Sequence, residues 1–214
     1  MERSPLINEA LEQQLKSVLG RLRSSVSLVC LADGGEKSNE MILFINHIAS
    51  LSPQLSVRVL APGEDPGTQA LLDASMLPAT GLWSSDGFCR IVFHGVPGGH
   101  ELTSFVSAIL SCAHSASPLD SPTLRDISKI TQDALVQICV SLSCTHCAKL
   151  VMAAQRIAAE NPHICAHMID ANLYPDIVSR YAIARVPVLT IDGSAVSVGA
   201  LTMAELCALL RKKR

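Results

Sequence analysis

The chain has 214 residues, 49% of them hydrophobic and 17% charged, with a formal net charge of −2. That is ample apolar material for one large or two small domains, and it leaves no basic footprint for nucleic acid. No apolar run approaches the ~20 residues a membrane helix needs. The opening Met-Glu-Arg-Ser-Pro lacks the apolar stretch of a secretory signal, so a soluble, cytoplasmic protein without nucleic-acid or membrane partners is expected.

In chain order, Leu11, Leu15, Val18 and Leu22 share one face of a helix over 6–22, and 25–32 reads as a buried strand. Asp33-Gly34-Gly35 breaks the strand, and a helix follows to about residue 51. A second strand covers 56–60, a short helix is expected around 68–75, and a hairpin joins 79–83 to 88–93 across Ser-Ser-Asp-Gly. A helix over 101–113 closes the first half. Residues 115–120 form the best candidate linker, which divides the chain into units 1–117 and 118–214.

The same order of elements then repeats. A helix opens at Ser121-Pro122, with proline where its missing N–H costs nothing. A strand covers 134–142 and a helix 144–160, which Asn161-Pro162 stops. Another strand covers 164–169, a short helix 174–182, and a hairpin 188–191 and 195–198 around Asp192-Gly193. A last helix begins at Thr202 with a capping box to Glu205, and the cations at 211–214 suit its final turn. Cys30 and Cys139 lie 109 residues apart, as do Pro78 and Pro187, so the unit is read as duplicated. At that offset Gly35 stands opposite Cys144 and Ser38 opposite Cys147; the first half is a scaffold without the thiols.

Eight cysteines in a reducing compartment are thiols, not a disulfide framework. Cys30, Cys89, Cys112, Cys139, Cys165 and Cys207 are isolated and read as small buried hydrophobes. Cys144-Thr145-His146-Cys147 is different. Disulfide exchange needs a thiolate attacker and a second sulfur near enough to resolve the mixed disulfide. At a helix start, Cys144 gains the dipole and unpaired N–H groups that favour a thiolate, while Cys147 sits one turn deeper. His146 can bring positive charge to the pair. A cis bond at Val186–Pro187 would place backbone against the dithiol, ready to pair with an extended substrate. Two rivals remain. One is a glutaredoxin-like disulfide reductase of broad substrate range. The other is a docking platform of two sheets in which Cys144, His146 and Cys147, with His163, Cys165 and His167, hold zinc. The strand bearing those histidines alternates like a half-exposed edge, so they are read as surface residues.

Ser141-Leu142-Ser143-Cys144-x-x-Cys147, Asn161-Pro162, Ile169-Asp170, Val186-Pro187, Leu201-Thr202 and Gly99-His100-Glu101-Leu102-Thr103-Ser104 together resemble the N-terminal domain of the flavoprotein subunit of alkyl hydroperoxide reductase. The resemblance covers nearly the whole chain. It implies an α/β protein of two fused thioredoxin-like folds, only the second with a dithiol. It implies electrons taken from a thioredoxin-reductase-like flavoprotein disulfide and passed to a peroxiredoxin. The family's acidic residue maps onto Glu101, which tunes the cysteines or relays a proton, or else is a surface carboxylate at a helix start. Where the family usually has histidine after the first cysteine, this chain has Thr145, with His146 following. There is no Gly-x-Gly-x-x-Gly, so no cofactor is expected in this chain beyond its redox-active disulfide. FAD and NAD(P)H belong to a partner or a missing domain, and the chain is either an excised piece or a free-standing shuttle.

Overall fold

The computed structural model describes residues 3–213. Its elements are α1 (Glu9–Leu19), β1 (Val26–Leu31), α2 (Glu36–Ala49), β2 (Leu55–Leu60), α3 (Pro66–Leu72), β3 (Ala79–Ser84), β4 (Gly87–His94), a 3₁₀ turn (Gly99–Glu101) and α4 (Leu102–Cys112). After the connecting segment come α5 (Ser121–Ser128), β5 (Ala134–Val140), α6 (Cys147–Glu160), β6 (Ile164–Asp170), α7 (Pro175–Arg180), β7 (Val188–Ile191), β8 (Ser194–Val198) and α8 (Met203–Lys212). Elements are those the periodicities predict, with ends trimmed by their caps: Asn8 accepts the Leu11 N–H, Asp120 the Thr123 N–H, and Thr202 and Glu205 close the expected capping box.

All eight strands form one sheet in the order β2-β1-β3-β4-β6-β5-β7-β8. Each half contributes four strands in the same internal arrangement, which is the repeat seen in the sequence. The halves join where β4 pairs with β6 in parallel, Ile91 opposite Ala166 through His94 opposite Ile169. A platform of two sheets is therefore replaced by one continuous sheet. Helices α1, α2, α4, α6 and α8 bury their apolar faces on one side of it, around Phe44, Phe93, Phe105, Leu150 and Ile157. Smaller clusters around Leu72 and Ile177 pack on the other side.

The join corrects one expectation outright. β6 is an interior strand, so His167 is buried, not exposed. Its Nδ1 lies 2.9 Å from Nε2 of His94, which is also buried. His163, just outside β6, is half-exposed and bonded to Asp133 at 2.8 Å. Of the isolated cysteines all are buried except Cys165, which is half-exposed. At the C-terminus, Arg211 bonds Asp126 at 2.6 Å and Lys213 pairs with Asp192, while Arg214 lies outside the described residues. No described helix is long and apolar enough to cross a membrane.

Candidate functional site

Strand β5 delivers the chain to the site. After Val140 the backbone turns twice, with the Cys144 N–H donating to the Ser141 carbonyl at 2.9 Å. That turn delays the helix: α6 starts at Cys147, three residues later than the apolar spacing suggests, with His146 as an N-cap that makes no side-chain capping bond. Cys144 therefore lies just before the helix N-terminus, the end at which backbone N–H groups lack a partner within the helix.

Cys144 and Cys147 are joined in a disulfide, with their α-carbons 5.6 Å apart. Their surroundings differ. Cys147 is fully buried among Leu150, Val151 and Ala154. Cys144 is half-buried and packs on the rim of the same core, as do Val186 and Leu201. A reagent from solvent meets Cys144 first. The Val186–Pro187 bond is cis, as is Leu77–Pro78 in the first half, and Pro187 is buried. Thr145 and His146 are exposed.

The first half holds this loop in place. The 3₁₀ turn carries Gly99 at φ +55°, and the next N–H, of His100, donates to the Leu142 carbonyl at 3.0 Å. A Cβ on Gly99 would fall 2.5 Å from that same carbonyl oxygen, so only glycine allows the approach. Glu101 follows, fully buried, which settles against a surface carboxylate. Its Oε2 accepts the Ser104 hydroxyl at 2.5 Å and its Oε1 has no partner. Burial pushes its carboxyl up to about 7, the Ser104 bond opposing and the charge of Asp170 adding to the rise. Asp170, at the end of β6, is itself buried and raised for the same reason, with the Asn172 bonds opposing. Sequence reasoning named Asp170 and Ser104 only within the motifs of the family resemblance and gave neither a role. The Glu-x-x-Ser spacing at a helix start is the signal that points to Ser104.

In the first half, the turn opposite the dithiol is polar. Ser38 donates to Asp33 Oδ1 at 2.6 Å, and the Gly35 N–H donates to the same oxygen at 3.0 Å. Gly35 and Ser38, which the 109-residue offset sets opposite the two thiols, are thus both tied to the Asp33 carboxylate. The zinc arrangement is not assembled: among the described residues no group of three or more His, Cys, Asp or Glu converges to hold a metal ion. The strand-to-helix turns at Asp33-Gly34-Gly35 and at 141–146 likewise lack the glycine pattern that cradles a dinucleotide.

A family model described as Thioredoxin domain matches residues 134–211. The crystal structure of the NTD_N/C domain of the alkylhydroperoxide reductase AhpF of Enterococcus faecalis matches with a TM-score of 0.90 at 32% identity, over 95% of this chain and 99% of its own. The AhpF component of the alkyl hydroperoxide reductase of Pseudomonas putida is 28% identical over 201 residues, which are 94% of this chain and 36% of that protein. A protein disulfide oxidoreductase of Aeropyrum pernix matches with a TM-score of 0.84 over 95% of this chain and 92% of its own, at 20% identity, a likeness of fold. The chain spans little more than a third of the length of the curated relatives it matches. The likeness runs across both halves, so the fold is the expected α/β pair of fused thioredoxin-like units.

Proposed function

We propose, for a chain that belongs to the family of AhpF N-terminal domains of alkyl hydroperoxide reductase, that Cys144 and Cys147 relay electrons from a flavoprotein disulfide to a peroxiredoxin. In the reduced form the Cys144 thiolate attacks one sulfur of the acceptor disulfide, and the other sulfur leaves as a thiol. Cys147 then attacks Cys144 Sγ, which closes the ring and frees the reduced acceptor. A dithiol on the donor reopens the ring by the same exchange in reverse. Flavin and nicotinamide chemistry sits outside the described residues, on the donor. Val186 and Pro187 present backbone to the substrate, Thr145 and His146 flank the attacking sulfur, and Glu101 is a carboxyl that can hold or give up a proton near neutrality. A cytoplasmic setting keeps the other thiols reduced.

The observation that carries this reading is the contrast between a half-buried Cys144 and a fully buried Cys147 within one disulfide at a helix start. Cys147→Ser, mixed with an oxidised peroxiredoxin, is expected to trap a mixed disulfide through Cys144. Trapping through Cys147 in the Cys144→Ser variant instead would reverse the roles. Equal turnover with insulin and with a peroxiredoxin would favour the broad-range reductase.

A further inference from the structure

On the sheet face opposite α6, Cys165, His167, His94 and the Met76 carbonyl stand in one hydrogen-bonded row. Cys165 Sγ is 3.3 Å from His167 Nε2, His167 Nδ1 is 2.9 Å from His94 Nε2, and His94 Nδ1 is 2.8 Å from the Met76 oxygen. Burial drives both rings neutral. A carbonyl only accepts, so His94 Nδ1 carries the proton and its Nε2 must accept from His167 Nδ1–H. That leaves His167 Nε2 as an acceptor, and the Cys165 thiol is the donor facing it. Every proton in the row is thereby placed. It is the order of a nucleophile, a base and an orienting group.

Cys165 opens onto a cleft of about 590 Å³ lined by Gln69, Asp73, Phe88, Arg90 and His167. Two donors in that lining, Arg90 Nε and Gln69 Nε2, are buried without a partner. No carboxylate pairs with Arg90 among the described residues; Asp73 turns its Oδ1 to Ser75. Unspent cationic and amide donors beside a thiol suit a carboxylate on the incoming molecule.

We propose that Cys165 is a second, base-assisted thiol that exchanges with small disulfides bearing a carboxylate, independently of the Cys144–Cys147 pair. Cys165 Sγ bonds to one sulfur of the disulfide, the S–S bond breaks, and the second sulfur leaves with the electron pair. The thiol proton passes to His167 Nε2 while the His167 Nδ1 proton passes to His94 Nε2; Asp73 favours the charge on His94. The reverse shift returns a proton to the leaving sulfur, so the product is a mixed disulfide on Cys165 and one free thiol. Because burial pushes the Cys165 thiol up to about 11, against the opposing charge of Arg90, the resting sulfur is protonated and needs this base.

The protein with its Cys144–Cys147 disulfide closed is the natural test, since the other free cysteines are buried. It is mixed with dithiodiglycolate, which carries two carboxylates, or with cystamine, which carries two ammonium groups, and adducts are mapped by mass spectrometry. One adduct is expected, on Cys165, forming about tenfold faster with dithiodiglycolate. Arg90→Met is expected to erase that preference. His94→Gln, and His167→Gln where it folds, should slow both reagents about tenfold. No adduct, an adduct elsewhere, equal rates for the two reagents, or wild-type rates in His94→Gln would overturn the proposal.

Discussion

Glu101→Gln isolates the buried carboxyl beside the dithiol loop. The folded protein holds the Glu101 proton up to about pH 7, against an ordinary 4.5. Between those values the unfolded chain is ionised and the folded one is not, so unfolding releases a proton and stability falls as pH rises. The contribution is whole below 4.5 and lost above 7. A gap of 2.5 pH units at 1.36 kcal/mol each amounts to about 3 kcal/mol. Glutamine keeps the shape and an oxygen for the Ser104 hydroxyl but does not titrate. His94 and His167 act with the opposite sign, since their lowered folded values cost stability as pH falls, but they are common to both proteins and cancel in the difference. Urea unfolding followed by circular dichroism at pH 5, 6, 7 and 8, at fixed ionic strength, should show the variant gaining on the wild type by up to ~3 kcal/mol. A difference that stays constant across that range would mean that Glu101 is ionised in the folded protein and the burial argument is wrong.

Gly99→Ala combines a left-handed backbone with a clash at the Leu142 carbonyl and strips the His100 hydrogen bond. A loss of roughly 2 kcal/mol is expected, with slower reduction of peroxiredoxin at unchanged helical content; wild-type turnover would show that the loop tolerates displacement. Asn161→Ala orphans the buried Ile130 carbonyl, which its amide now meets at 3.0 Å, and removes the 2.8 Å bond to the Ile127 carbonyl, which keeps only the Ile130 N–H. Roughly 2–4 kcal/mol should disappear from the unfolding free energy measured in urea. His146→Ala should lower the reduction potential in a glutathione titration. With the ring exposed to solvent, the contact is screened and the shift is at most about 20 mV. A rise in potential would mean that the imidazole does not favour the thiolate.

Local chemistry was legible from residues alone: the Cys144-x-x-Cys147 pair, the Thr202–Glu205 capping box and the hairpin at Asp192-Gly193 all depend on neighbours within a few positions. The 109-residue repeat was legible for the same reason, because each half reproduces its own short-range pattern. What failed depends on distant partners. Alternation along β6 shows that His167 and Ala166 point to opposite faces, but not that β4, 73 residues away for His94, lies alongside and buries both. The start of α6 failed differently. Apolar spacing continues back through Cys144, but the Cys144 N–H is taken by Ser141, a choice that side-chain periodicity does not record. Asn161 read only as a helix stop; that its amide also ties down α5 required the packed structure.

The parallel seam between β4 and β6 bears on how the molecule can be divided. A strand with one side unpaired is a row of open donors and acceptors that invites another chain. The segment matched by the thioredoxin family model, 134–211, takes β6 but not β4. Cut there, it would show solvent the backbone of Ala166, His167, Met168 and Ile169, four consecutive positions now occupied by β4. The half without the dithiol thus serves the other as a permanent neighbouring strand, while the outer borders of the sheet fall to β2 and to β8, whose Val196 and Val198 already stand in water.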